Sequence, residues 1–225
     1  MIPKIAHLCW FGSEKPEWLS KILAAHKEHH PDWELKVWTE VPEDFPLAHR
    51  VKECEQYCQI ADLLYIWALC EIGGVVFDTD VLVIRPMNEL LGLEGFTTRH
   101  GLPRKEGGGD QRLTNGLMGS VPGGPFGDFY DRLKGNMDFG NSRAKFGPNG
   151  MTKAYDAGRL KVDVLPAHYF YPFTWAEKDL CKKFWGSDDK QRAWYLDQVS
   201  GRFKDGTWPY AVHLWHVFDT MFTKC

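Results

Sequence analysis

The chain has 225 residues, 44% hydrophobic and 25% charged, the profile of an ordinary globular protein rather than a disordered, collagen-like or membrane-spanning one. Its 27 basic and 30 acidic side chains leave a formal charge of −3, which excludes a global attraction to nucleic acid or to an anionic membrane and leaves only a local basic groove open. At this length a single domain spanning 1–225 buries roughly 70% of its unfolded surface without a metal or disulfide staple, so any metal would serve function rather than folding.

Ile2 to Phe11 is apolar and β-prone, and Ser13-Glu14-Lys15-Pro16 supplies a turn and a proline suited to a helix start. The spacing predicts a helix to about His30, ended by Pro31-Asp32. Trp33 to Trp38 then alternates apolar with polar, the period of a half-buried strand. From Ile60, the positions Ile60, Leu63, Leu64, Trp67 and Ala68 follow the helical template, and Gly73-Gly74 stops the helix before a short buried strand at Val75-Val76-Phe77. This alternation predicts an α/β sheet with helices on its faces. His26, His29 and His30 share the i, i+3, i+4 spacing and read as a solvated helix end.

Further on, Glu106 to Asp110 and Val121 to Pro125 read as loops around a strand at Leu117 to Val121, and Phe146 to Gly150 as a turn. Trp175 to Gly206 is polar, aromatic-rich and poorly periodic, and reads as an insertion or lid. The longest uncharged apolar run, Leu63 to Cys70, falls far short of the roughly 20 residues of a membrane span. Six cysteines without paired CxxC spacing, and an N-terminus without the charged and apolar regions of a signal peptide, predict a reduced, cytosolic chain.

The sharpest local feature is Asp78-Thr79-Asp80, placed directly after one apolar strand and before a second apolar run, Val81 to Ile84. Ligands of open α/β sheets collect beyond the carboxyl ends of strands, where this pair falls. Carboxylate oxygens in that position suit Mg²⁺ or Mn²⁺ carrying substrate phosphates. The helix from Asp62 to Ile72 covers roughly 15 Å, and the strand from Gly74 to Asp78 returns roughly 13 Å, which brings Asp62 and Asp78 to one level. Three carboxylates then share one cleft.

Gln59-Ile60-Ala61-Asp62-Leu63-Leu64 and Gly73-Gly74-Val75-Val76-Phe77-Asp78-Thr79-Asp80 resemble the signature of DxD-containing glycosyltransferases of the capsular-polysaccharide and mannosyltransferase-like type. The opening Ile2 to His7 with Trp10-Phe11-Gly12, then Gly147-Pro148 with Thr152, and finally His213-Leu214-Trp215 agree in order. The resemblance implies a GT-A fold with a Rossmann-like central sheet, a nucleotide-sugar donor (a uridine diphosphate sugar first), and retention of anomeric configuration with Mn²⁺ or Mg²⁺. It implies metal ligation by Asp78, Asp80 and His213, and donor contacts at Trp10, Phe11, Asp62, Tyr65, Gly74 and Asp78.

Two departures stand out. The family commonly has Ser before the helical Asp and Arg three residues after it, whereas this chain has Ala61 and Tyr65. The lost bidentate cation must be replaced, with Arg99, Arg104, Lys105 and Arg112 as candidates. The C-terminal block continues as His216-Val217-Phe218 where a small polar and an aromatic residue are expected. Asp110 and Asn115 are candidates to stabilise an oxocarbenium-like sugar. The acceptor is a glycan or another hydroxyl, a hydroxylated nucleobase included if Arg99, His100, Arg104, Lys105 and Arg112 line a groove. Two alternatives stay open: a haloacid-dehalogenase-like phosphatase, whose first motif the run from Val75 to Leu82 also resembles although Ser187-Asp188-Asp189 sits in poor context for its late acidic motif, and a degenerate carbohydrate-binding protein.

Overall fold

The computed structural model describes residues 1–11, 14–99, 112–135, 137–140, 144–203 and 205–215. Its opening is β1 (Ile5–Cys9), α1 (Glu17–His29) and β2 (Glu34–Trp38), followed by a short α2 (Ala48–Val51), α3 (Tyr57–Glu71) and β3 (Gly74–Phe77). After β4 (Val81–Val83) come β5 (Gly95–Thr98), β6 (Leu117–Ser120), α4 (Gly127–Lys134), α5 (Pro148–Asp156) and β7 (Asp163–Leu165). The C-terminal part adds α6 (Lys178–Trp185), α7 (Asp189–Asp197) and β8 (Ala211–His213).

The central sheet has six strands in the order β2-β1-β3-β6-β5-β7. β1 runs parallel to both β2 and β3, and β6 then pairs antiparallel with β3. A separate two-stranded ladder joins β4 to β8, with Val81 opposite His213. Side chains alternate across β3 as the pleat requires: Val75 and Phe77 enter one core cluster, with α1, α6 and the C-terminal segments, while Val76 enters the other, with α3, α4 and α5. Each of these fully buried side chains contributes roughly 1.5–3 kcal/mol relative to exposure. The two clusters grip β3 from both faces and hold its carboxyl end, where the acidic pair begins.

α3 starts three residues earlier than its apolar spacing predicts. The Gln59 Oε1 accepts the backbone N–H groups of Glu55 and Gln56, at 2.8 and 3.1 Å, and so closes a helix end that lacks a Ser, Thr, Asp or Asn cap. At the other end, Gly73 adopts φ 74° and its N–H reaches back to the Ala68 carbonyl at 2.9 Å. A Cβ on Gly73 would lie 2.6 Å from Pro122 Cδ, so the turn requires glycine for its conformation and for its space.

Two expectations need correction. His26 and His30 are buried, with 2% and 3% of their surface exposed, because His26 continues the inward stripe of Leu19 and Ile22 on α1. The segment from Trp175 to Gly206 is helical, and Cys181, Phe184, Leu196 and Val199 belong to the core cluster on the α1 side, so it forms a wall of the core. Among the described residues, no helix is long and apolar enough to cross a membrane, and Cys9, Cys54, Cys70 and Cys181 are free thiols.

Candidate active site

The turn after β3 is built by the backbone: the Asp78 N–H donates to the Gly116 carbonyl at 2.7 Å, and the Val81 N–H returns to the Asp78 carbonyl at 3.0 Å. Asp80 is buried at 2% exposure, whereas Asp78 keeps about a third of its side chain exposed, 36%. The β4–β8 ladder carries His213 into the same place from far along the chain. Its Nε2 lies 3.4 Å from an Asp80 oxygen and 3.6 Å from an Asp78 oxygen. One ligand atom from each of the three residues falls within 4.8 Å of the others.

Electrostatics fits a cation at this point. Burial alone would lower the His213 pKa, yet the charges of Asp80 and Asp78 outweigh it and hold the imidazole above its ordinary 6.5. The two carboxylates thus favour a positive charge on the imidazole, where a divalent ion would sit. The oxygen-rich donor set with one nitrogen suits Mn²⁺ and accommodates Mg²⁺.

Asp62 stands beside this cluster, as the helix and strand lengths predict. It is half-buried, and burial together with the Asp78 charge pushes its carboxyl up to about 8, while a hydrogen bond from the Asn115 amide works the other way. A Cβ on Gly147 would lie 2.6 Å from Asp62 Oδ2 and 2.8 Å from the Asn115 amide nitrogen, and a Cβ on Gly116 would lie 2.6 Å from Asp78 Oδ2. Glycine at both positions leaves room for these carboxyl groups.

Trp10 follows the carboxyl end of β1, packs edge-on to Trp18 at 5.6 Å, and buries an indole N–H that has no hydrogen-bond partner. Phe11 rests against the exposed Tyr57 ring at 6.1 Å. Two implied donor contacts do not survive. Tyr65 is buried at 1% exposure and its hydroxyl donates to the Phe77 carbonyl at 2.7 Å, so it braces the strand end from below rather than facing the cleft. Gly74 lies at the opposite end of β3 from Asp78, with φ 111° and Ile5 O at 2.6 Å from where a Cβ would be; its role is to bring the backbones of β1 and β3 together. Asp110 lies outside the described residues, as do His100, Arg104, Lys105, His216, Val217 and Phe218.

Sequence reasoning missed Tyr171. Its ring stacks on His213 at 5.0 Å and 28°, and its hydroxyl would sit 2.9 Å from a Cβ on Gly116. No local pattern in Tyr169-Phe170-Tyr171 marks one aromatic of the run as the partner of a histidine. Of the replacement cations, Arg99 lies 5.5 Å from the Tyr155 ring and Arg112 donates to Asn149 at 2.9 Å. Asp188, expected by the phosphatase alternative to be a late catalytic acid, caps α7 by accepting the Gln191 N–H at 2.9 Å.

The match of residues 16–97 to the family model of the glycosyltransferase sugar-binding region containing the DXD motif takes in Asp62, Asp78 and Asp80. Residues 16–97 thus resemble that sugar-binding region. Among curated proteins, the chain is 29% identical over 135 residues to inositol phosphoceramide mannosyltransferase 3 of Schizosaccharomyces pombe, across 56% of this chain and 35% of that one. It is 28% identical over 141 residues to mannosyl phosphorylinositol ceramide synthase SUR1 of Saccharomyces cerevisiae, across 60% and 34%. The chain thus spans about a third of the length of these relatives. The solved structure of PaToxG glycosyltransferase superposes with a TM-score of 0.53 at 16% identity, covering 93% of this chain and 85% of that one. The chain therefore shares the GT-A fold, with its mixed sheet between helices.

Proposed function

We propose that 1–225 is one catalytic domain, a metal-dependent retaining glycosyltransferase that moves a hexosyl group from a nucleotide-sugar to a hydroxyl of a glycan or other acceptor. The observation that carries this reading is the convergence of Asp78, Asp80 and His213 within 4.8 Å, beside Asp62, at the carboxyl end of β3. Asp80, Asp78 and His213 would hold Mn²⁺ or Mg²⁺, which when bound neutralises charge on a diphosphate leaving group. Asp62 and Asn115, held to each other, would orient the donor sugar. The unpartnered Trp10 indole N–H supports a nucleotide contact at the end of β1.

Burial of Asp80 and His213 excludes water from the inner side of the cluster, which strengthens every charge interaction there. The names of the two yeast relatives favour mannose or a related hexose as the transferred group. The free thiols support a reducing, cytosolic setting. Arg99 and Arg112 are already held by Tyr155 and Asn149, which favours a glycan over a nucleic acid as acceptor.

The test is a thermal-shift panel of UDP-sugars, GDP-mannose and free nucleotides with and without Mn²⁺, on the wild type and on Asp80→Ala. Ligand at 100 times its Kd stabilises the native state by about 2.7 kcal/mol, a readily measured rise in Tm. A Mn²⁺-dependent rise with one donor, absent in Asp80→Ala, is expected. Equal shifts in both proteins would overturn the assignment of the acidic pair.

A further inference from the structure

Away from the acidic cleft, α4, α5 and the segment following α4 enclose a cavity of about 140 Å³. Gly150, Lys153 and Ala154 line it from one face of α5, at the i, i+3, i+4 spacing. Arg132 enters from α4 and Arg159 from just beyond α5. The Phe139 side of the cavity is fixed: its ring packs edge-on to Phe129 at 6.1 Å and to Phe146 at 5.8 Å, with the Arg50 guanidinium 5.3 Å away.

Charge is the unusual feature of this cavity. Three cations face it in a chain whose formal charge is −3, and among the described residues no carboxylate pairs with Lys153 or Arg159. The one acid in the lining, Asp138, spends an oxygen on the Gly140 N–H at 2.7 Å. Converging cations repel one another unless an anion joins them, and guanidinium groups bind phosphate oxygens through paired N–H donors. The volume lies below the roughly 300–1,000 Å³ of pockets that engulf a whole small molecule, so the cavity takes one charged group.

We propose that this cavity is a phosphate-binding site separate from the acidic cleft, with Arg132, Lys153 and Arg159 as its ligands. It accepts a phosphate that is either free or borne on a lipid headgroup. The site stands whether or not the cleft transfers sugar. Its place on α5 gives it reach: Gly147, at the start of that helix, touches Asp62 and Asn115, and Lys153 lies about 9 Å further along the axis.

Isothermal titration with inorganic phosphate in metal-free buffer tests the site on wild type, Asp80→Ala and the double variant Lys153→Gln, Arg159→Gln. Lys153 and Arg159 are exposed, so the double variant keeps the fold. Wild type and Asp80→Ala bind alike, and the double variant loses at least about tenfold in affinity, because it removes two charged hydrogen-bond donors to the anion. Co-sedimentation with phosphatidylcholine vesicles containing phosphatidylinositol, abolished in the double variant, identifies a lipid-borne phosphate. Phosphate binding without co-sedimentation identifies a soluble one. Failure to bind either probe, binding that the double variant retains, or binding lost in Asp80→Ala overturns the proposal.

Discussion

Two histidines near the strand that leads into the acidic pair are similarly buried and differ in charge, one held neutral and the other favoured as the cation. His26 lies edge-on to Phe77 at 4.5 Å, and neither of its ring nitrogens has a hydrogen-bond partner. Burial, then the neighbouring His30 and His29, push its pKa down to about 3. His213 is no more exposed, at 5% against 2%, but faces Asp80 and Asp78 and is held above its ordinary value. Burial sets a penalty on charge that is similar for both; the partner decides whether the charge forms. The body of the strand is accordingly packed dry, whereas beyond its carboxyl end Asp78 and Asp80 favour a positive charge on His213.

The contrast breaks most sharply at Asp80. Asp80→Asn removes the negative charge that does most to raise the His213 pKa, so the imidazole titrates lower in the metal-free protein, as histidine NMR across pH would show. In the same variant sugar transfer falls by about 10³-fold, close to 4 kcal/mol of barrier, measured as kcat/KM with Mn²⁺ present. A His213 pKa unmoved by the substitution would break the comparison.

The next effect is on stability, and its sign differs between the two histidines. A folded pKa below the unfolded 6.5 means that the His26 contribution is intact above pH 6.5 and is lost as pH falls towards 3. The loss amounts to about 3 kcal/mol between pH 6.5 and pH 4. His213, with its raised pKa, contributes stability that is present below pH 6.5 and lost as pH rises through its folded value. Urea unfolding at a series of pH values separates them: His26→Leu flattens the acid limb, and Asp80→Asn flattens the alkaline one.

The smallest effect sharpens the role of the strand end. Tyr65→Phe leaves the Phe77 carbonyl without its 2.7 Å hydrogen bond, which costs about 1–2 kcal/mol in the same urea experiment. Because Tyr65 does not face the cleft, the KM for the donor changes less than twofold.

The features legible in the sequence are those fixed by local period. β1, α1, β2, α3 and β3 follow from apolar spacing and from Gly73-Gly74, and the arithmetic of helix and strand lengths alone brings Asp62 to Asp78. The β4–β8 ladder is different, because pairing Val81 with His213 depends on contacts between residues remote in sequence. His213 follows from family resemblance, and Tyr171 from nothing in the sequence. The reading of His26 as solvated fails because its polar neighbours Lys27 and Glu28 mask the Leu19–Ile22–His26 stripe. Tyr65, which stands where the family has Arg, and Gly74 both serve the strand: one is a brace, the other a backbone contact.

The Gly73–Gly74 turn also makes the chain a gauge of fixed length. Asp62 and Asp78 are sixteen positions apart, and the turn between them is pinned by Pro122 on one side and Ile5 on the other, so no slack can be taken up there. One residue inserted into α3 after Asp62 would rotate that side chain by about 100° and move it about 1.5 Å along the axis, away from Asn115. Substitutions along the outer face of α3 leave this spacing intact, whereas a single insertion or deletion dismantles it, so lengths in this stretch are under tighter constraint than the identities of most of its residues.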